Sequence, residues 1–132
     1  MTKQEMFDKA VRGLAKQCWK RAARVTDIGN SICVYQDKDG NRCAWGHVDT
    51  SLDSEVDGGV RKLHEQKIGL AAGLTDSEVM FAQILQTTHD DACTPEQMLE
   101  AYTDIYIRHQ LDWPSDVERF GVDHVVVKRT FL

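Results

Sequence analysis

Apolar residues recur every three or four positions over several parts of the chain, which is the pattern of amphipathic helices. Three long helices and one short helix, from Val60 to Leu70, are predicted in this way. Cap residues mark where the long helices begin, because a Ser or Thr side chain can accept hydrogen bonds from the free backbone amides of the first turn. The caps are Thr2 with Glu5, Thr75 with Glu78, and Thr94 before Pro95.

The stretch from Ser31 to His47, SICVYQDKDGNRCAWGH, has the pattern of a β-hairpin instead. Strand-forming residues flank DKDGN, whose Gly, Asp and Asn suit a tight turn. The valines in the segment from Val122 to Phe131 predict a further strand, which would pair with the hairpin because an isolated hairpin is only marginally stable. The predicted fold class is α+β, a small antiparallel sheet of central hairpin plus C-terminal strand, packed by about four helices in one domain over residues 1–132.

The number of turn residues decides what this hairpin can do. Side chains alternate between the two faces of a strand, so an odd turn places Cys33 and Cys43 on one face. An even turn separates them. The sequence leaves both registers open.

Composition narrows the function classes. The net charge is −5, with nine Lys and Arg against five Asp and Glu in residues 1–46, and seven against sixteen in residues 47–132. No apolar run approaches the roughly 20 residues that span a bilayer. The N-terminal segment is amphipathic and carries acidic residues, unlike a signal peptide. The four cysteines are irregularly spaced, which fits reduced thiols in the cytoplasm. Overall acidity argues against direct nucleic-acid binding.

Metal binding is one candidate chemistry. Cys33, Cys43 and His47 follow the spacing C-x9-C-x3-H, and His89 lies at the end of a predicted helix. Thiolate and imidazole ligands in a tetrahedral set suit zinc, the one cofactor that the sequence leaves open. The competing interpretation is that the cysteines are small buried apolar residues. Pairing Cys43 with His47, or with His89 and Asp90, would give a nucleophile, but no catalytic signature surrounds them, so the sequence favours a protein that is not an enzyme.

Binding sites are the other candidates. Asp90 and Asp91 lie near the C-terminal end of a predicted helix, where the helix dipole disfavours negative charge. A residue that is unfavourable for local structure can indicate a functional site, so Asp90 joins His89 as a candidate ligand-binding residue. Tyr35, Trp45, Tyr102 and Tyr106 could stack a nucleotide base, and Lys20, Arg21 or Arg42 could meet its phosphate. An acidic loop over residues 48–58 is the predicted protein-binding face; its acids are Asp49, Asp53, Glu55 and Asp57.

Three segments, TKQEMFDKAVRGLAKQ, CVYQDKDGNRCAWGH and ILQTTHDD, resemble a loose group of small uncharacterised proteins encoded by phages and prophages. Members share a Cys-x-Tyr, a short Gly-containing turn, a Cys-Ala-x-Gly and a Leu-Gln…His-Asp. The resemblance covers the first two-thirds of the chain, and His47 departs from it. It implies a phage source and an accessory protein in the host cytoplasm, with no activity to transfer.

The leading hypothesis is therefore a protein that binds a host or defence-system protein, as an inhibitor of anti-defence type. The alternatives are a nucleotide-binding protein and a zinc-stabilised or metal-dependent hydrolytic protein. The oligomeric state is left open by the sequence.

Overall fold

Five α-helices, one 3-10 helix and a two-stranded antiparallel sheet make up residues 1–118, the part of the chain that a computed structural model describes. The mixed content confirms the α+β class, with one helix more than the predicted four or so in this part. The capping boxes at Thr2 and Thr75 are formed, and Thr94 caps the last helix. The elements are α1 (Lys3–Lys16), β1 (Ala23–Val25), β2 (Ser31–Cys33), α2 (Ala44–Val48), α3 (Val60–Glu65), the 3-10 helix (Gly69–Gly73), α4 (Asp76–Asp91) and α5 (Pro95–Arg108).

The first helix ends sharply at Lys16. Cys18 and Trp19 both adopt positive φ angles, 58° and 61°. The Trp19 amide donates to the Leu14 carbonyl at 2.8 Å and closes the helix end. The chain can therefore reverse direction and start strand β1 at Ala23.

The two strands form a ribbon, defined here as residues 23–33. Ala23 pairs with Cys33 and Val25 with Ser31, across a turn over residues 26–30. Among the named elements, the strands contact chiefly each other, whereas every helix packs against another helix or the 3-10 helix. The ribbon is thus an appendage of the helical body.

The predicted hairpin over Ser31–His47 is wrong in its second strand. Ser31–Cys33 is a strand, but its partner is the upstream segment Ala23–Val25. The second predicted strand is helix α2, which begins because the Cys43 sulfur accepts a hydrogen bond from the Gly46 amide at 3.3 Å.

The predicted turn inside this stretch does form. The Asp37 carboxylate accepts hydrogen bonds from the amides of Asp39 and Asn41, each at 2.9 Å, and a single bridge joins Gln36 to Arg42. Because α2 starts directly after this bridge, no second strand sets a register between Cys33 and Cys43.

The core lies between α1, α2, α4 and α5, with α3 against α4. Its largest fully buried side chains are aromatic, and Trp45 of α2 lies among them. Of the helices described, none is both long and apolar enough to cross a membrane. The predicted strand from Val122 to Phe131 lies outside the described residues.

Candidate functional site

Cys33, His89 and Asp90 bring metal-ligating atoms together at the base of the ribbon. One such atom from each residue lies within 4.8 Å of the other two, the one group of this kind in residues 1–118. Cys33 ends β2, and the other two residues belong to the last turn of α4. His89 is fully buried, and its Nδ1 lies 2.9 Å from an Asp90 carboxylate oxygen that also accepts from the Gln86 amide at 3.1 Å. The group therefore joins the ribbon to the helical body.

Hydrogen bonds at both ring nitrogens define the protonation of His89. The Ala22 amide donates to Nε2 at 3.2 Å, so Nε2 is an acceptor and Nδ1 carries the proton that is donated to Asp90. A zinc ion at Nδ1 would require the proton to move to Nε2, where it would face the Ala22 N–H. Both ring nitrogens of His89 are already hydrogen-bonded without a metal. The arrangement therefore supports a structural link better than a metal centre.

The Cys33 thiol is held in its protonated form. Partial burial raises the pKa of this thiol to about 11, and the negative charge of Asp90 adds to the effect. Because the thiolate is the nucleophile and the metal ligand, a thiol with this pKa is a poor nucleophile at neutral pH. The proximity of His89 does not activate it, since both ring nitrogens are already engaged.

The four zinc ligands predicted from the sequence do not form one set. Cys33 and His89 meet, but Cys43 is the buried cap of α2, and burial raises the pKa of its thiol to about 12. His47 faces α1, where its Nε2 lies 2.8 Å from the Gln17 side-chain oxygen. Burial, then the positive charge of Arg42, lowers the pKa of His47 to about 4, so the ring is neutral.

Three of the residues predicted to stack a base or bind phosphate have structural roles instead. Trp45 is fully buried, and Tyr35 is buried with its hydroxyl donating to the Gly58 carbonyl at 2.6 Å. Neither ring offers a face to a nucleotide base. The Arg42 guanidinium donates to the Leu52 carbonyl at 2.7 Å and thereby holds the following loop in place. The sequence could not reveal these roles because they depend on partners distant in the chain.

The acidic loop divides into one buried and three exposed acids. Asp49 is buried and accepts hydrogen bonds from the Ser51 hydroxyl at 2.6 Å and the Leu70 amide at 2.9 Å. Burial alone would raise the pKa of Asp49, but these hydrogen bonds outweigh it and the pKa lies below its usual range. The side chains of Asp53, Glu55 and Asp57 are exposed, so they remain available to a partner.

The sequence did not predict the surface formed by the ribbon. Val25 and Ile28 are 72% and 83% exposed, and Ile32 also faces solvent. Beside them lies a groove of about 350 Å³, here called the ribbon groove. Apolar side chains, basic side chains and the acidic loop all contribute to its walls, which include Ala23, Arg24, Val25, Val34, Lys38 and Ser54.

A sequence signal for the ribbon does exist. The segment ARVTDIGNSIC places β-branched residues on both sides of Asp27, Gly29 and Asn30, which are turn formers. Because this segment follows directly on the first predicted helix, the sequence assigns it to the end of that helix and not to a strand pair. No family model, no curated protein and no solved structure matches this chain.

Proposed function

We propose that this chain is a small accessory protein of phage type that acts by binding a host or defence-system protein, with the ribbon as its main contact. The observation that carries the proposal is the exposure of Val25 and Ile28 on an element that contributes no buried residue to the core. Large apolar side chains exposed together on a small protein commonly mark an interaction site.

The backbone of the ribbon supports the same function. A two-stranded ribbon has two outer edges whose free amides and carbonyls can pair with an extended segment of another protein. Residues 1–118 place no third strand on either edge. An edge of this kind gives affinity through main-chain hydrogen bonds, while side-chain pockets give specificity.

The ribbon groove would supply the specificity. Val25 and Val34 give it apolar walls, and Arg24 and Lys38 give it cations. Ser54 brings in the acidic loop, whose exposed carboxylates are close in sequence on both sides of it. An apolar pocket surrounded by charges of both signs suits an anchoring side chain of a protein partner.

The proposal is tested by quantitative affinity capture from host lysate with three forms of the protein. The ribbon variant carries Val25→Ser and Ile28→Ser, and the matched control carries Met80→Ser and Ile84→Ser, which remove two exposed apolar side chains from α4. We expect a partner that the wild type and the control retain and the ribbon variant loses. If the ribbon variant retains the same proteins as the control, the ribbon is not the contact.

The acidic loop is tested in the same experiment. A variant with Asp53→Asn and Glu55→Gln removes two exposed charges without touching the buried Asp49. If the loop adds to the interface, this variant retains less of the same partner than the wild type does. Equal retention would confine the interface to the ribbon.

A further inference from the structure

A second groove, of about 530 Å³, lies between α1 and the region around α2 and shares no lining residue with the ribbon groove. Lys9, Arg12 and Lys16 line it from α1. Their spacing of three and four residues places them on one face of the helix. Among the described residues, no Asp or Glu lines this groove.

Only one of the three cations that line this groove is held in an ion pair within residues 1–118. In residues 1–118, neither Lys9 nor Lys16 forms an ion pair. The Nε of Arg12 binds both carboxylate oxygens of Asp116, each at 3.1 Å, and both side chains of this pair are substantially exposed. The chain's own carboxylate thus shows that Arg12 can hold an oxyanion beside the groove. Like charges at this spacing repel one another, and a bound anion would relieve that repulsion.

The floor of the groove is fixed before any ligand binds. The side-chain oxygen of Gln17 accepts a hydrogen bond from the Arg42 backbone amide at 2.9 Å. Its side-chain nitrogen donates to the backbone carbonyls of Arg42 and Lys20, both at 2.7 Å. Its oxygen also accepts from the neutral His47 ring at 2.8 Å. Gly13 permits this packing, since a Cβ at this position would collide with the His47 ring. A rigid floor reduces the ordering that ligand binding requires.

We infer that this groove binds a compact oligophosphate, such as the diphosphate group of a nucleotide, through Lys9, Arg12 and Lys16. Lys9 and Lys16 are seven positions apart on the helix, a rise of about 10 Å, which two flexible ammonium groups can span around more than one phosphate. The exposed Thr50 at the opposite wall adds a hydroxyl donor. The ligand would sit on α1 and leave the ribbon free.

Calorimetric titration with pyrophosphate tests this inference. We compare the wild type, a groove variant with Lys9→Gln and Lys16→Gln, and a control with Lys20→Gln and Lys62→Gln. Both variants lose two positive charges from exposed side chains, but neither control position lines the groove. The titration is run at about 0.15 M salt, where screening over about 8 Å weakens non-specific attraction.

We expect saturable binding that weakens about tenfold or more in the groove variant and stays within about twofold in the control. Absence of saturable binding to the wild type, or equal weakening in both variants, would overturn the inference. Parallel titrations with orthophosphate and a single-stranded oligonucleotide distinguish the phosphate sources. Tighter binding of the oligonucleotide, lost in the same groove variant, would overturn the compact-ligand assignment in favour of a phosphodiester backbone.

Discussion

In the helical body most of the large apolar side chains are buried, whereas in the ribbon they face solvent. Phe7, Phe81 and Trp45 are buried almost completely, while Val25 and Ile28 of the ribbon are mostly exposed. Burial of a large apolar side chain stabilises a fold by roughly 1.5–3 kcal/mol, and the exposed residues give up most of that gain. Fold stability therefore accounts for the apolar residues of the body but not for those of the ribbon.

The two regions also differ in how they use polar groups. In the body, the buried side chains of His89 and Asp49 are hydrogen-bonded and fix one chain segment to another. In the ribbon, Arg24 and Ser31 are exposed on the strands. The difference indicates that the body is built for a single conformation and that the ribbon is built for contact.

Truncation of Leu85 should have the largest effect on stability. Leu85 is fully buried on α4, and Leu85→Ala should lower the free energy of unfolding by about 2–5 kcal/mol, the usual cost of such a cavity. The matched control is Ile84→Ala. Ile84 precedes Leu85 in the chain and is partly exposed, so its truncation should lower the free energy of unfolding by less than about 1 kcal/mol. Urea unfolding followed by circular dichroism measures both. Equal losses would show that α4 does not divide into core and surface faces as described.

Replacing His89 should have the next largest effect, because His89 links the body to the ribbon. His89→Leu removes the acceptor of the buried Ala22 amide and the donor to Asp90. An unsatisfied buried amide costs about 1–3 kcal/mol. Hydrogen exchange should show faster opening of the ribbon amides than of the α4 amides. A uniform increase throughout the molecule would mean that His89 supports the whole core and not this link.

The pH dependence of stability should also originate in the body. His47 has a pKa of about 4 in the folded protein, against 6.5 for an unperturbed histidine. Between these values the unfolded chain binds a proton that the folded chain does not, so the free energy of unfolding falls as the pH is lowered from about 6.5 to about 4. His47→Gln should flatten this decline in unfolding titrations at several pH values. An unchanged slope would assign the decline to other groups.

The helices could be predicted from the sequence because their signals are local. The caps at Thr2, Thr75 and Thr94 lie next to the residues they serve, and all three helix starts are confirmed. The prediction of a second hairpin strand is wrong because it rests on the strand propensity of Cys43 and Trp45, whereas in the fold Cys43 caps α2 and Trp45 packs in the core. The burial of Trp45 and the Cys43 cap select a short helix, and both depend on packing against distant elements.

The candidate sites were predicted less well for the same reason. Cys33, His89 and Asp90 are all candidates in the sequence, but no local pattern predicts that they form one group. The decisive partner of His89 is the Ala22 amide, 67 residues away. Local sequence holds no trace of such a hydrogen bond. The ribbon surface was missed although its turn residues are visible, because the preceding helical periodicity extends into it.

Polar substitution at the ribbon should have the smallest effect on stability and yet a large effect on partner binding. Because Ile28 is 83% exposed, Ile28→Ser removes little buried area and should change the free energy of unfolding by no more than about 0.5 kcal/mol. Combined with Val25→Ser, it should leave the urea midpoint nearly unchanged while the captured partner is lost. A loss above about 1 kcal/mol would show that these side chains stabilise the fold, and their exposure would then carry no argument for an interface.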